Sequence, residues 1–216
     1  MKYDYGQDFN PEKLKSTDID KQSTALIPEH TKLLELGCAT GFMSKYFTQV
    51  KKCQVFGVEI DPEMAQKASE SCENVLIGDL NHSSTWQKIF TLAPFDVVFA
   101  SAVIEHLQDP WHTLQLIKQA LKPAGILIIT TSNIAHWRMR LKLLFGHWDY
   151  EDYGTLDNTH LRFFTYSTFQ PALEKAGFAI EHISVDPAGG IKYFNWLARH
   201  FPNFYAHQMV IRARKL

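Results

Sequence analysis

Residues 32–41 read Lys-Leu-Leu-Glu-Leu-Gly-Cys-Ala-Thr-Gly, a short apolar run followed by a turn of small residues. The apolar part, Lys32–Leu36, predicts a buried β-strand. The small residues after it let the backbone turn sharply and approach a ligand closely. A helix is predicted over Phe42–Gln49, so that strand, glycine turn and helix follow one another as they do in α/β folds.

The same alternation continues to residue 131. Asp61 and Pro62 open a second helix, because Asp is a good N-cap and Pro fits the first helical turn. The strand Phe95–Ser101 is almost wholly apolar, which indicates burial on both faces, as in a parallel sheet. The pattern predicts an α/β fold with a doubly wound, mostly parallel sheet and right-handed crossovers. The remaining predicted elements are strands at Gln54–Ile60, Asn74–Ile77 and Ile126–Thr131 and a helix at Pro110–Leu121.

The flanking segments follow a different pattern. A helix is predicted from Pro11 to Leu26, and Ile134–Tyr153 is rich in aromatic and basic residues without a strand pattern. Ser167–Gln170 resembles a capping box that opens a helix ending at Gly177. Two last strands are predicted at Phe178–Val185 and Tyr205–Arg212, separated by an interrupted stretch, Asp186–Asn203. We expect one domain, 1–216, with a cofactor-binding half at 30–131, a lid or substrate segment at 132–165 and a C-terminal part at 166–216.

Composition excludes several classes of protein. The chain has 22 basic and 23 acidic residues, a formal net charge of -1, so nucleic acid is not an expected partner, because such binding relies on neutralised phosphates. Its three cysteines (Cys38, Cys53 and Cys72) have neither disulfide-framework nor zinc spacing, so we expect a reducing compartment and no metal. The chain shows no signal peptide and no apolar run of transmembrane length, and we therefore expect a cytoplasmic protein.

Polar residues stand where successive strands of the predicted sheet end. Glu35, Glu59, Asp79 and Ser101 each fall at the carboxyl end of a strand, the edge where open α/β sheets bind ligands. An acid about 20 residues after the glycine turn, as Glu59 is, typically binds the ribose hydroxyls of an adenosine ligand. Glu35 can hold a cationic amino group, and Asp79 can accept a hydrogen bond from an adenine amino group. The four positions together predict an adenosine-containing ligand.

These motifs resemble those of class I S-adenosylmethionine-dependent methyltransferases. Residues 35–41 resemble their motif I, residues 57–61 their ribose-binding strand end and residues 78–80 their adenine-binding turn. The stretches 95–107 and 121–125 resemble later motifs. The match covers about residues 30–131 and is of the ubiquinone- and menaquinone-biosynthesis-like type, while residues 158–165 resemble small methyltransferases associated with polysaccharide synthesis. The resemblance implies a Rossmann-like, seven-stranded sheet with an antiparallel last strand and helices on both faces.

The resemblance also implies a cofactor and the residues that hold it. The cofactor would be S-adenosylmethionine, with S-adenosylhomocysteine as product. One departure is that Ala39 stands where the family usually has the middle glycine of motif I. The implied cofactor-binding residues are Glu35, Gly37, Cys38, Ala39, Gly41, Glu59, Ile60, Asp79, Leu80 and Ser101.

Two histidines are candidates for the general base that would assist a hydroxyl nucleophile. His160 is the first candidate and His106 the second. The expected acceptor is a small or a glycan- or lipid-linked molecule, methylated at a hydroxyl oxygen. The basic, amphipathic stretch 137–145 suits either a lid over the site or peripheral contact with a membrane surface. Tyr3 and Tyr5 are candidates to close over the cofactor, because aromatic rings attract a cationic sulfonium.

Two alternative functions share this fold. An NAD(P)-dependent oxidoreductase should carry G-x-G-x-x-G, but from Gly37 onward the third and sixth positions are Ala39 and Phe42, which argues against it. The other alternative is a non-catalytic module that binds S-adenosylmethionine. The acceptor and the oligomeric state cannot be read from the residues.

Overall fold

The computed structural model describes residues 9–187 and 192–216, so Tyr3 and Tyr5 lie outside the described residues. Seven strands form one sheet: β1 (Lys32–Leu36), β2 (Gln54–Glu59), β3 (Asn74–Ile77), β4 (Phe95–Ser101), β5 (Leu121–Ser132), β6 (Phe178–Asp186) and β7 (Gln208–Lys215). The helices are α1 (Ile19–Ala25), α2 (Phe42–Gln49), α3 (Pro62–Ala68), α4 (Ser83–Leu92), α5 (Pro110–Ala120), α6 (Trp137–Leu144), α7 (Tyr166–Lys175), α8 (Lys192–His200) and α9 (Pro202–Tyr205), with 3-10 turns at Pro11–Lys13 and Ile104–His106.

The strand order is β3-β2-β1-β4-β5-β7-β6. The neighbours from β3 to β5 pair in parallel, whereas β7 runs antiparallel to both β5 and β6. The chain winds outward from β1 in one direction through β2 and in the other through β4, which opens a crevice at the carboxyl ends of these strands. The α/β fold and the antiparallel last strand are confirmed.

Helices cover both faces of the sheet, because alternate residues of each strand point to opposite sides. Leu34 belongs to a core that includes buried residues of α4, α5 and α7, for example Trp86 and Leu173. Its neighbour Leu33 belongs to a second core, with Phe47 of α2. The buried strands explain why their sequences are almost wholly apolar.

Local signals predicted the central elements closely. The bounds of β1, α2, β3 and β4 agree with the predictions. Asp61 caps α3 as expected, since its Oδ1 accepts hydrogen bonds from the backbone N–H groups of Glu63 (2.8 Å) and Met64 (3.1 Å). Gly177 ends the last predicted helix with a φ of 85°, a conformation that glycine adopts without strain.

Two helix starts were predicted wrongly. No single helix spans Pro11–Leu26, because Asp18 caps a new helix by accepting from the N–H groups of Asp20 and Lys21. The capping box of α7 is formed by Thr165 and Thr168, not by Ser167–Gln170. Each of these two threonine hydroxyls accepts a hydrogen bond from the other residue's backbone N–H.

Pairing between distant strands sets other strand limits differently from the predictions. Strand β7 starts at Gln208 rather than Tyr205, because its register with β5 runs from Gln208 opposite Ser132 to Arg214 opposite Ile126. Strand β5 begins at Leu121, which pairs with Phe95 before a bulge. The interrupted stretch Asp186–Asn203 contains α8 and the first residues of α9.

Helix α6 lies on the surface and has no buried residue. Leu143, Leu144 and Phe145 are more than half exposed. No helix in the described ranges has the length and apolarity that a membrane crossing requires. The expectation that 137–145 acts as a lid or contacts a membrane remains a prediction.

Candidate active site

A cavity of about 670 Å³ lies at the carboxyl ends of β1 to β4. It brings together Glu35, Glu59, Asp79 and Ser101, the four strand-end residues identified in the sequence. Within the described residues, no group of three His, Cys, Asp or Glu side chains could hold a metal ion. The lining of the cavity includes the strand ends and the loops that follow them.

The loop after β1 requires small residues. Gly37 and Gly41 have φ values of 69° and 77°, in the left-handed region that disfavours side chains. A Cβ at Gly37 would lie 2.7 Å from Val103 Cγ2, and one at Gly41 would lie 2.7 Å from Ala68 Cα. Ala39 also has a positive φ of 47°, a backbone conformation that the glycine usual at this position of the resembled motif would adopt without strain.

Glu59 closes this loop onto β2. Its Oε2 accepts a hydrogen bond from the N–H of Ala39 (2.8 Å), and its Oε1 accepts from Ile60 (2.8 Å) and Asp61 (3.0 Å). A carboxylate offers about four lone-pair sites, so these three hydrogen bonds leave one further acceptor site, on Oε2. That site fits a hydroxyl of a ribose.

Glu35 is the most deeply buried of the strand-end acids, with 3% of its surface exposed. The Ser44 hydroxyl donates to its Oε2. Burial raises the pKa of Glu35 to about 8, because a charged carboxylate loses hydration in the protein interior. A bound ammonium group would restore the charge, so Glu35 fits the amino group of an amino-acid ligand.

The turn after β3 fits an adenine ring. Asp79 Oδ1 accepts from the backbone N–H (2.8 Å) and side-chain amide (2.9 Å) of Asn81, and the Trp86 indole N–H donates to the Leu80 carbonyl at 2.9 Å. Ile60 lines the same cavity with 63% of its surface exposed, which leaves an apolar surface for a flat ring. These contacts fix the turn and its neighbouring wall.

Ser101 and Cys38 have mainly structural contacts. The Ser101 hydroxyl lies 3.1 Å from the Thr130 hydroxyl. Cys38 is 1% exposed, and a hydrogen bond with Cys72 together with burial raises the pKa of its thiol. Cys38 is therefore a packed residue whose contribution to the loop is its small size.

The two candidate histidines are in contact but occupy different positions. Their ring centroids are 4.6 Å apart, in an edge-to-face arrangement. His106 lines the cavity, whereas His160 is 9% exposed and is not among the lining residues. The structure thus gives the second candidate of the sequence analysis, and not the first, access to a ligand.

Sequence reasoning missed Asp157 and Thr159, which also line this cavity. The Thr159 hydroxyl donates to Asp157 Oδ1 at 2.6 Å and lies 3.0 Å from His106 Nδ1. The cluster of Asp, Asn and Thr ahead of His160 was a signal of a polar turn. It gave no indication that the turn reaches a histidine more than 50 residues earlier in the chain.

A second cavity, of about 660 Å³, lies beside α6. Its lining includes the apolar and aromatic residues Trp137, Leu141, Phe145, Tyr153 and Leu156. It contains none of the strand-end acids and is distinct from the first cavity.

The buried acids and small-residue loop of the first cavity fit S-adenosylmethionine, whose amino group, ribose and adenine match Glu35, Glu59 and the turn at Asp79.

Comparisons with known proteins agree with this geometry. A family model described as a methyltransferase domain matches residues 10–183. The ubiquinone biosynthesis O-methyltransferase of Cereibacter sphaeroides (strain KD131) is 28% identical over 121 residues, which cover 55% of this chain and 48% of the relative. The human mitochondrial ubiquinone biosynthesis O-methyltransferase is 26% identical over 192 residues, covering 85% of this chain and 51% of the relative.

The chain spans about half the length of these curated relatives. Among solved structures, an S-adenosylmethionine-dependent methyltransferase from Mesorhizobium loti has the same fold, with a TM-score of 0.65 and 16% identity over 97% of this chain and 100% of that one. The family match covers most of the chain, and the cofactor of this family is S-adenosylmethionine. The chain therefore belongs to the methyltransferase-domain family of class I, S-adenosylmethionine-dependent enzymes.

Proposed function

We propose that this chain methylates a hydroxyl oxygen of a small-molecule acceptor, with His106 as the general base. The observation that carries the proposal is that a single cavity is lined by the acids that fit the cofactor and by His106. The names of the O-methyltransferase relatives favour oxygen as the methylated atom. A glycan- or lipid-linked acceptor is a narrower form of the same proposal.

The residues of the chain would divide the work between binding and proton transfer. When bound, S-adenosylmethionine supplies a methyl group on a cationic sulfur, and formation of the C–O bond with cleavage of the C–S bond leaves S-adenosylhomocysteine. His106 takes the proton that the acceptor hydroxyl loses, which leaves a neutral ether and an imidazolium. Glu35 and Glu59 orient the reactants, and alignment of this kind supplies a large part of the rate enhancement of many enzymes.

The first experiment is calorimetric titration of the purified protein with S-adenosylmethionine and, separately, with NADH. We expect only the former to bind, and Glu59→Ala to weaken that binding. The bound protein is then offered catechol, methyl glucoside and benzylamine, and S-adenosylhomocysteine formation is measured. Product with a hydroxyl acceptor supports the proposal, whereas tight binding without turnover of any acceptor favours a non-catalytic module.

A pair of histidine variants tests the role of His106. We expect His106→Gln to abolish most turnover and leave the affinity for S-adenosylmethionine within about threefold, because general bases contribute about 10²–10⁴-fold to rates. His112→Gln, an exposed histidine of α5, is the matched control and should be fully active. Full activity of His106→Gln would refute its role as the base.

We also propose a cytoplasmic location. Cys38, Cys53 and Cys72 are all free thiols, and unpaired cysteines are typical of reducing compartments. Fractionation of cells that express the chain at its natural level would test this location.

A further inference from the structure

The hydroxyl of Thr159 bridges an acid and a histidine. Its Oγ1 lies 2.6 Å from Asp157 Oδ1 and 3.0 Å from His106 Nδ1. The backbone N–H of Thr159 also donates to Asp157 Oδ1, at 2.9 Å. The hydroxyl is therefore held by its own main chain in a position between the two groups.

The direction of these hydrogen bonds follows from the number of protons available. A threonine hydroxyl has one hydrogen, and Asp157 Oδ1 accepts both from this hydroxyl and from the Thr159 backbone N–H. The Thr159 hydrogen therefore goes to Asp157, and the Thr159 oxygen accepts the Nδ1–H of His106. Since a neutral imidazole carries one N–H, the lone pair of His106 resides on Nε2.

The segment that carries Thr159 is anchored to the turn that carries His106. The N–H groups of Leu161 and Arg162 both donate to the carbonyl of Glu105, at 2.9 and 3.0 Å. Asp157 is 1% exposed, so the acid at the end of the chain of hydrogen bonds is held in the interior. The alignment of Thr159 with His106 thus depends on backbone contacts as well as on the side chains.

His160 supports the same ring from another side. Its Nδ1 lies 3.2 Å from the carbonyl of Thr155, which can only accept, so Nδ1 is the protonated nitrogen. The His160 ring makes an edge-to-face contact with the His106 ring, with 4.6 Å between the ring centroids. This contact restricts rotation of the His106 ring, which is consistent with a packing role for His160.

We propose that Thr159 and Asp157 are positioning residues that hold His106 in the Nδ1–H tautomer, so that Nε2 is the nitrogen that takes the acceptor's proton. The catalytic part of this inference rests on the proposed function. The tautomer is a property of the folded protein and can be measured without an acceptor.

Long-range ¹H–¹⁵N NMR of the full chain, saturated with S-adenosylhomocysteine, measures the tautomer directly. At pH 8, above the ordinary pKa of imidazole, the signals that disappear in His106→Gln identify His106 among the ten histidines. We expect the Nδ1–H form in the wild type, a shift towards the Nε2–H form in Thr159→Val, and the wild-type form in Thr159→Ser. A predominant Nε2–H form in the wild type, or no shift in Thr159→Val, would overturn the proposal.

Kinetics then test whether the tautomer matters. With any hydroxyl acceptor that is turned over, Thr159→Val should lower kcat about three- to tenfold, the effect expected from one hydrogen bond, with unchanged affinity for S-adenosylmethionine. Thr159→Ser should restore kcat, and Thr91→Val, at an exposed threonine of α4, is the matched control. A shifted tautomer with unchanged kcat refutes the catalytic part, whereas absence of turnover in the wild type refutes the proposed function and leaves the NMR result to decide the tautomer.

Discussion

The raised pKa of Glu35 should make binding of S-adenosylmethionine depend on pH. Burial raises this pKa to about 8, so the carboxyl is mostly protonated at pH 7 before the cofactor binds. If the ammonium group of the cofactor pairs with the ionised carboxylate, binding must first remove that proton. Each pH unit below the pKa then costs about 1.4 kcal/mol, or tenfold in affinity.

The amino group of the cofactor limits the effect at higher pH. With an ordinary α-amino pKa of about 7.7–8.0, the group loses its own proton in the same range, so that affinity should peak near pH 8. The two titrations together predict that the Kd rises about eightfold from pH 7 to pH 6 and about twentyfold from pH 8 to pH 6. They also predict net release of about 0.8 proton on binding at pH 7.

Isothermal calorimetry at pH 6, 7 and 8, in buffers of different ionisation enthalpy, measures both the Kd and the proton count. Glu35→Gln should bind about 10- to 100-fold more weakly at pH 8, because it loses a charge-assisted hydrogen bond, and its Kd should be nearly constant between pH 6 and pH 7. Glu63→Gln, an exposed acid of α3, is the control and should behave as the wild type. A wild-type Kd that does not change from pH 6 to pH 8 would refute the reasoning.

Three substitutions test other parts of the structure. Gly41→Ala should lower the free energy of unfolding in urea by about 2 kcal/mol or more and weaken cofactor binding. The left-handed φ costs about 1–2 kcal/mol, and the new Cβ meets the backbone of Ala68. Wild-type stability of this variant would contradict the prediction. Ala39→Gly should change stability by less than about 1 kcal/mol, since relief of the left-handed strain is offset by the freedom of glycine in the unfolded chain; a more than tenfold loss of affinity would instead indicate that the Ala39 methyl group contacts the cofactor. Burial raises the pKa of Glu105 from 4.5 to about 7, so the folded state binds this proton more tightly and the wild type should lose up to about 3 kcal/mol of stability as pH rises from 4.5 to 7. Glu105→Gln should remove that loss. If the free energies of unfolding of the two proteins changed in parallel between pH 5 and pH 8, titration of Glu105 would be excluded as the cause.

Much of the fold follows from local signals. The apolar run and small-residue turn at 32–41 predicted β1 and α2 to the residue, because strand burial and glycine conformations are properties of short segments. The strand-end acids Glu35, Glu59 and Asp79 were found for a similar reason. Each stands at the end of its own strand, and parallel strands carry their carboxyl ends to the same edge of the sheet.

Contacts between distant segments were decided only by the tertiary structure. Strand β7 takes its limits from pairing with β5 and β6, and such a register depends on its partners rather than on its own residues. Residues 155–162 meet the turn after β4, and this contact creates three features that the sequence did not reveal. His106 reaches the cavity, His160 is buried behind it, and Thr159 links His106 to Asp157. The residue types at these positions were visible in the chain, but their roles depend on hydrogen-bond geometry and burial, which exist only once segments more than 50 residues apart have come together.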